Sequence, residues 1–415
     1  MPNRKAHESH ERQLNPECGQ PARARLLDIV GRCRKHRHAA FPRAGRDALG
    51  GDALPGLVIY GSRGMGFPQQ LDAIEAVVAR NPGLRIAAIV RDDEVESATP
   101  APIRKHRTLT ESEFFAHAGE FKGCLVVDRT CTWYPGVRNK VRLRKEGLAI
   151  LRVEQFLNAP VLDTGEGYER AHADYMLENF ESLLRFESVW ADEQSLQTYY
   201  YALASFISMN HEYFAIHCGD YRERYFPSDL QMRFAPGCVY ADCGAFDGYE
   251  ALHFAKITGG RFGAIHSFEP DRGNFRTLTR NIHAYIAEHG PAEIFCHEFG
   301  VYDRNAFLGS SGYAAGVSVT GEAVAGQAGI HVCRLDNTLD ELGHLRLEIE
   351  GAELAALRGA EGLIARFRPT MTLSAYHLPS DFPDLIGFVQ GTGHDYRMRL
   401  RHQSLEPGVL CVYCD

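Results

Sequence analysis

From Leu54 onward, short apolar runs alternate with stretches of helical spacing. "LPGLVIYGSRGMG" is an apolar run that breaks into a glycine turn, "FPQQLDAIEAVVARN" has helical spacing, and "LRIAAIVRDDE" is a second apolar run ending in acids. Strand, turn, helix and strand predict a βαβ unit. "FKGCLVVDRT" and "GLAILRVEQF" add strands, so residues 51–165 read as a small doubly wound α/β domain. Residues 166–235 read as a helical connector. Its aromatic stripe of Tyr199, Tyr200, Phe206, Tyr213 and Phe214 is expected to serve packing rather than a cofactor.

A second α/β series occupies residues 236–415. Its predicted strands are "CVYADC", "GAIHSF", "EIFCHEFGV", "HVCRL", "LRLEI", "TMTLSAY", "DYRMRL" and "GVLCVY", with helical spacing in "RGNFRTLTRNIHAYIAEH" and "ELAALRGAEGLIARF". The series ends strand upon strand with no room for a long helix, which predicts an antiparallel edge on a mostly parallel sheet. Residues 305–329 are dominated by Gly, Ala and Ser and are expected to form a mobile lid. Residues 1–50 are polar and rich in His and Arg, and read as a flexible basic arm or a loose helix.

Composition narrows the classes. With 415 residues, the chain is too long for one ordinary core. A net charge of −8 argues against a general nucleic-acid binder. No apolar run is long enough to span a membrane, and "MPNRKAHESHERQ" lacks the apolar stretch of a secretory signal. The 11 cysteines are scattered and odd in number, which suits reduced thiols in a cytoplasmic compartment. The one C-x-x-C, Cys411 to Cys414, closes an apolar run and reads as a buried strand. No second ligand pair completes a zinc site, and no metal is expected.

The candidate chemistry sits in "YADCGAFDGYE", residues 240–250. Its glycines suit a nucleotide-binding turn, yet Asp242, Asp247 and Glu250 crowd into it. Ligands of doubly wound sheets bind beyond the carboxyl ends of the strands. Phosphate at this turn would meet like charge, whereas a cationic ligand would be favoured. Glu269 closes the next strand, where an acid takes ribose hydroxyls. Ribose, a flat base and positive charge without phosphate point to S-adenosyl-L-methionine. Two further candidates lie on later strands. Arg346 and Glu348 alternate with Leu345, Leu347 and Ile349 in "LRLEIEG", where buried charge is costly unless paired or functional. His377 follows "TMTLSAY" and titrates near neutrality. Glu353 opens a helix and reads as a cap, while Glu350 can face either way.

The blocks "VYADCGAFDGYEALHFA", "IHSFEPDRGNFRTLTRNI", "CRLDNTLDEL", "LRLEIEGAELAALRGAEGLIARFRP" and "LSAYHLPSDF" resemble, in order and spacing, those of the FkbM-type methyltransferase family. The resemblance covers roughly residues 225–413 and extends to the lead-in and front domain of longer members. It implies a seven-stranded, Rossmann-like class I methyltransferase that uses S-adenosylmethionine on hydroxyls of sugars, glycans or polyketides. Carried over by position, Asp242, Gly244, Asp247 and Gly248 form the cofactor loop. Glu269 takes the ribose, Pro270 shapes the adjoining turn, and Gly300 sits near the adenine. His377 and Glu348 are the candidate bases. The family usually has Lys and Asp where this chain has Arg346 and Glu348.

The front turn "IYGSRGMG" has Gly61, Gly64, Gly66 and Arg63 without an acid, so it can accept phosphate, but its spacing is not the dinucleotide fingerprint. Two alternatives stay open: an NAD-dependent oxidoreductase working through the front domain, and a non-catalytic methyltransferase-like binding protein. A small-molecule or glycan acceptor is the expected partner. Sequence leaves the oligomeric state open.

Overall fold

The computed structural model describes residues 21–35, 47–49, 54–61, 67–91, 105–129, 142–157, 159, 162, 168–311, 318–322, 329–403 and 409–415. The chain divides into two compact units. One comprises Met1–Phe180 with Tyr200–Ile216, and the other Glu181–Tyr199 with His217–Asp415.

The first unit is built on β1 (Gly56–Tyr60), β2 (Arg85–Arg91), β3 (Thr108–Thr110), β4 (Leu125–Asp128) and β5 (Ala149–Arg152). They form one sheet in the order β3-β2-β1-β4-β5, parallel throughout. Parallel strands are covered on both faces, and alternate residues of β1 feed two cores. Leu57 and Ile59 pack with Leu71, Ile74 and Val77 of the helix Phe67–Arg80. Val58 and Tyr60 pack with Phe114 and Phe121. Strand β3 escapes sequence reading because three residues carry no periodicity. A capping box between Thr110 and Glu113 then starts the helix Glu111–Ala116. Part of the expected basic arm is also ordered. Ala22–Lys35 is a helix that buries Leu26, Ile29, Val30 and Cys33. Its Arg25 is buried with the rings of Tyr201 and Tyr213 each 5.8 Å from the guanidinium.

The second unit holds a seven-stranded sheet. Its members are β6 (Cys238–Cys243), β7 (Phe262–Phe268) and β8 (Ile294–His297), then β13 (His344–Leu347), β14 (Thr370–Ser374), β15 (Met398–His402) and β16 (Leu410–Cys414). The order is β15-β16-β14-β13-β6-β7-β8. Only β16 runs antiparallel, wedged between β14 and β15, as the closing strand-upon-strand pattern predicted. Cys411 and Cys414 lie buried in β16 with free thiols. The sheet edge at β15 is covered rather than exposed. Trp190 bridges to Met398, and Arg401 pairs with Asp192 and Asp229 at 3.0 and 2.7 Å.

A smaller sheet corrects the expected lid. It joins β9 (Gly300–Val301), β10 (Ala306–Ser311), β11 (Ser318–Glu322) and β12 (Gly329–Cys333) in the order β11-β10-β12-β9. Segments 306–311 and 318–322 thus pair as antiparallel strands, and only 312–317 and 323–328 lie outside the described residues. Small residues hid the period-two alternation there. No described helix is long and apolar enough to cross a membrane.

The topology reverses at β6. Strands β7 and β8 lie to one side of it, and β13 and β14 to the other, so β6 and β13 form the switch point. Their parallel register sets His344 beside Tyr240, Arg346 beside Asp242 and Leu347 beside Cys243.

Candidate functional site

The turn after β6 lies at that switch point. Gly244, Phe246 and Gly248 all have left-handed backbones, at φ 82°, 50° and 85°. Glycine is required at 244, because a Cβ there would lie 1.9 Å from the Glu348 carbonyl oxygen. The loop after β6 thus abuts the segment that follows β13. At 248 a Cβ would meet Leu278 at 2.7 Å, so the helix Arg272–His289 closes against the turn.

The three carboxylates of the turn go three ways. Asp242 is fully buried, and its Oδ1 accepts from Arg346 Nη1 at 2.6 Å and from Tyr240 OH at 3.1 Å. Arg346 Nη1 also donates to the Gly244 carbonyl at 3.2 Å, and the guanidinium lies 3.8 Å from the Tyr225 ring. Glu250 pairs with Arg224 at 2.7 Å. Asp247 accepts the Tyr249 N–H at 3.1 Å. Counting the turn as three uncompensated charges is therefore corrected, since arginines from elsewhere in the chain neutralise two of them. Asp242 Oδ2 is a buried acceptor with no hydrogen-bond partner among the described residues.

The loop amides supply a second argument about the ligand. Gly244 and Ala245 N–H both donate to the Phe268 carbonyl at 3.0 Å. Phe246 N–H donates to Glu269 Oε2 at 2.9 Å, and Gly248 N–H to the Ala245 carbonyl at 2.8 Å. A phosphate cradle needs such N–H groups pointing at the ligand. Here they are spent on the protein itself.

Glu269 ends β7 and is 5 % exposed. Its Oε1 accepts the Asp271 N–H at 2.9 Å. Burial pushes its carboxyl up to about 7 against the pull of those backbone donors. Pro270 leads into Asp271, which caps the helix Arg272–His289 through the N–H groups of Gly273 and Asn274. Gly300 lies in β9 rather than in β8. A Cβ there would meet Ile330 and Val332 at 3.2 Å, so its smallness serves the small sheet.

Across the switch point, Glu348 follows β13. It accepts hydrogen bonds from Ser374 Oγ and Tyr376 OH, both at the end of β14. His377 stands between carboxylates: Nε2 lies 3.3 Å from Glu348 Oε1, and Nδ1 2.9 Å from Glu353 Oε1. Glu353 also accepts the N–H groups of Ile349 and Gly351 at 2.8 and 3.0 Å, so it ties down the turn before its helix, rather than capping the helix, while it holds the imidazole. Burial disfavours charge on His377, but Glu353 and Glu348 overcome it and hold its pKa well above the ordinary value. Burial likewise works against Glu348, yet His377, Arg346 and Ser374 hold its carboxyl well below the usual range. The result is a buried imidazole with a carboxylate facing each ring nitrogen. Glu348, Glu350 and His377, or Glu353, His377 and Asp381, do bring ligand-type atoms within 4.8 Å of one another.

Sequence reading found Asp242, Gly244, Asp247, Gly248 and Glu269 at one edge, and His377 beside Glu348. It missed Arg346 as the partner of Asp242, Glu353 as the partner of His377, and the hydroxyls of Ser374 and Tyr376. Only the alternation in "LSAY" placed those two hydroxyls on one face. The front motif at Gly64 and Gly66, with Asp92 and Asp93, lies outside the described residues.

Residues 242–398 match the family model of the methyltransferase FkbM domain. Among solved structures, the methyltransferase FkbM from Methylobacillus flagellatus KT is similar, at 24% identity and a TM-score of 0.77. The match covers 95% of this chain and 99% of that one. A precorrin-6y C5,15-methyltransferase from Geobacter metallireducens GS-15 aligns at 12% identity and a TM-score of 0.30, over 45% of this chain and 84% of its own. An rRNA methylase from Streptococcus thermophilus aligns at 12% and 0.28, over 50% and 95%. No curated protein matches the chain.

Proposed function

Taking residues 242–398 as a methyltransferase FkbM domain, we propose that the chain is an S-adenosylmethionine-dependent O-methyltransferase. Its acceptor is a hydroxyl of a sugar, a glycan or a polyketide-like molecule, and it works in the cytoplasm. The observation that carries the reading is a nucleotide-type loop at the switch point whose Gly244, Ala245, Phe246 and Gly248 N–H groups are already spent, beside a strand-end acid fit for a ribose. Such an edge suits a nucleoside without phosphate. The close-packed glycines and the leftover Asp242 acceptor fit the same group.

Glu269 would hold the ribose hydroxyls through Oε2, which keeps a lone pair beyond its bond from the Phe246 N–H, while Oε1 already accepts from the Asp271 N–H and Asn274 Nδ2. Gly244 and Gly248, with Asp242 and Asp247, shape the loop around the amino-acid end, while Pro270 and Gly300 border the base. When bound, the donor supplies a methyl group already activated by its sulfonium. The protein's task is then alignment and exclusion of water. Glu348 and His377 stand across the loop as the acceptor-side pair, fixed by Glu353, Ser374 and Tyr376.

Calorimetric titration with S-adenosylhomocysteine, NAD and UDP-glucose tests the cofactor. Binding of S-adenosylhomocysteine alone is expected, and binding of NAD alone would overturn the proposal. Transfer of labelled methyl to a panel of methyl glycosides tests the acceptor.

A further inference from the structure

The acceptor hydroxyl must lose a proton, and the groups first in line cannot take it. Both ring nitrogens of His377 already face carboxylates, Nδ1 toward Glu353 at 2.9 Å and Nε2 toward Glu348 at 3.3 Å. Glu348 is engaged by Ser374, Tyr376 and His377. Glu353 spends both oxygens on backbone N–H groups and the imidazole, and its side chain is fully buried. Asp381 accepts the Leu378 N–H at 2.8 Å and is buried.

Glu350 differs from all of these. Its side chain is 34% exposed, and its nearest ionic partner is His377 Nε2, at 3.8 Å. No hydrogen bond within the described residues holds either oxygen. The backbone presents it deliberately, with a left-handed φ of 56° that a non-glycine residue adopts at a cost. Gly351 follows at φ 97°, and a Cβ there would press on Leu378 at 3.2 Å. The strained pair turns the chain at the carboxyl end of β13, against the Gly244 loop.

We propose that Glu350 is the catalytic residue that faces the transferred methyl group and takes the acceptor's proton, with His377 as the positioning residue that holds it. The inference rests on the methyltransferase reading above. The acceptor oxygen forms the new O–C bond, and the C–S bond breaks with its electron pair returning to sulfur. The hydroxyl proton passes to a Glu350 carboxylate oxygen and from there to water. The charged groups around Glu350 are His377, Glu348 and Glu353, with Asp381 behind them. Burial, together with the charges of Glu348 and Glu353, raises its proton affinity above that of an ordinary glutamate, while His377 opposes the rise. That direction suits a base.

The test needs no acceptor. Sinefungin carries an ammonium on the carbon that replaces sulfur, near the place of the transferred methyl, whereas S-adenosylhomocysteine has nothing there. Calorimetric affinities of both are measured for the parent and for Glu350→Gln. The parent is expected to prefer sinefungin. In Glu350→Gln that preference should fall by about tenfold, the loss expected of a charge-assisted contact, with S-adenosylhomocysteine binding unchanged. Retained S-adenosylhomocysteine binding doubles as the check on folding. As a second measurement, the parent's preference should decline on acidification, while the variant's stays flat. An equal sinefungin preference in both proteins, or a pH-independent preference in the parent, overturns the assignment of Glu350. A parent that binds neither ligand removes the cofactor reading itself, and this inference with it.

Discussion

Replacing Arg346 with Met tests the charge balance beneath the cofactor loop. Arg346 and Asp242 are 3% and 0% exposed, and they meet at 2.6 Å. Removing one partner of a buried pair costs about 3–5 kcal/mol, because the remaining charge is left without compensation. For a unit of about two hundred residues, each kcal/mol moves Tm by roughly 2–4 °C, so a fall of roughly 6–20 °C is expected. The double variant Asp242→Asn, Arg346→Met buries no charge and should recover most of the loss, which makes a double-mutant cycle the right assay. The pH dependence has a definite sign. Burial raises the Asp242 carboxyl, with Arg346 opposing it, and the Met variant removes that opposition. A carboxyl with higher proton affinity folded than unfolded takes up a proton on folding, so acid favours the native state. The deficit of Arg346→Met should therefore shrink as pH falls. Urea unfolding followed by near-ultraviolet circular dichroism measures each quantity. A single variant within about 1 kcal/mol of the parent, or a double variant as damaged as the single, refutes the reasoning.

Two further outcomes follow from the same edge. Glu269 is pushed by burial up to about 7, so S-adenosylhomocysteine affinity should weaken as pH drops through that value and hold steady above it. Calorimetry from pH 6 to 8.5, with Glu269→Gln as the pH-insensitive comparison, checks this. His377→Ala and Glu348→Gln remove the pair that positions Glu350, and should lower methyl transfer on the true acceptor by about a hundredfold while leaving cofactor affinity nearly intact. Single-turnover transfer set beside ligand titration decides it.

The sheet of the second unit was readable because buried parallel strands are uninterrupted apolar runs. "CVYADC" became β6 without a shift, and "TMTLSAY" became β14 less its last two residues. What stayed hidden was either short or distant. β3 is a three-residue edge strand. In 306–322, small residues replaced the alternation that marks a strand. The helix Ala22–Lys35 was masked by its arginines, though Leu26, Ile29, Val30 and Cys33 keep helical spacing. The ligand edge itself was legible, because strand-end acids and glycines are local signals. The partners of those acids were not, since Arg346 lies 104 residues from Asp242.

Arg346 and Glu348 raise a sharper point. As i and i+2 neighbours on one strand face, they look like a pair or like two unexplained charges. The topology gives each a different customer, because β13 lies between β6 and β14. Arg346 turns toward β6 and fixes Asp242 and the Gly244 carbonyl, on the cofactor side. Glu348 turns toward β14 and gathers Ser374, Tyr376 and His377, on the acceptor side. One strand end thus anchors both halves of the proposed reaction. The Lys–Asp pattern usual in the resembling family would keep the same signs with a compact ammonium and a shorter acid. Arg346 serves the carboxylate and the carbonyl from one nitrogen, Nη1, while its planar guanidinium lies 3.8 Å from the Tyr225 ring, a stacking contact a lysine point charge makes less well. Glutamate's extra methylene extends the acid's reach toward Tyr376 and His377. The two departures therefore read as one compensated change, in which a side chain of β13 and one just beyond its end reach further toward opposite neighbours.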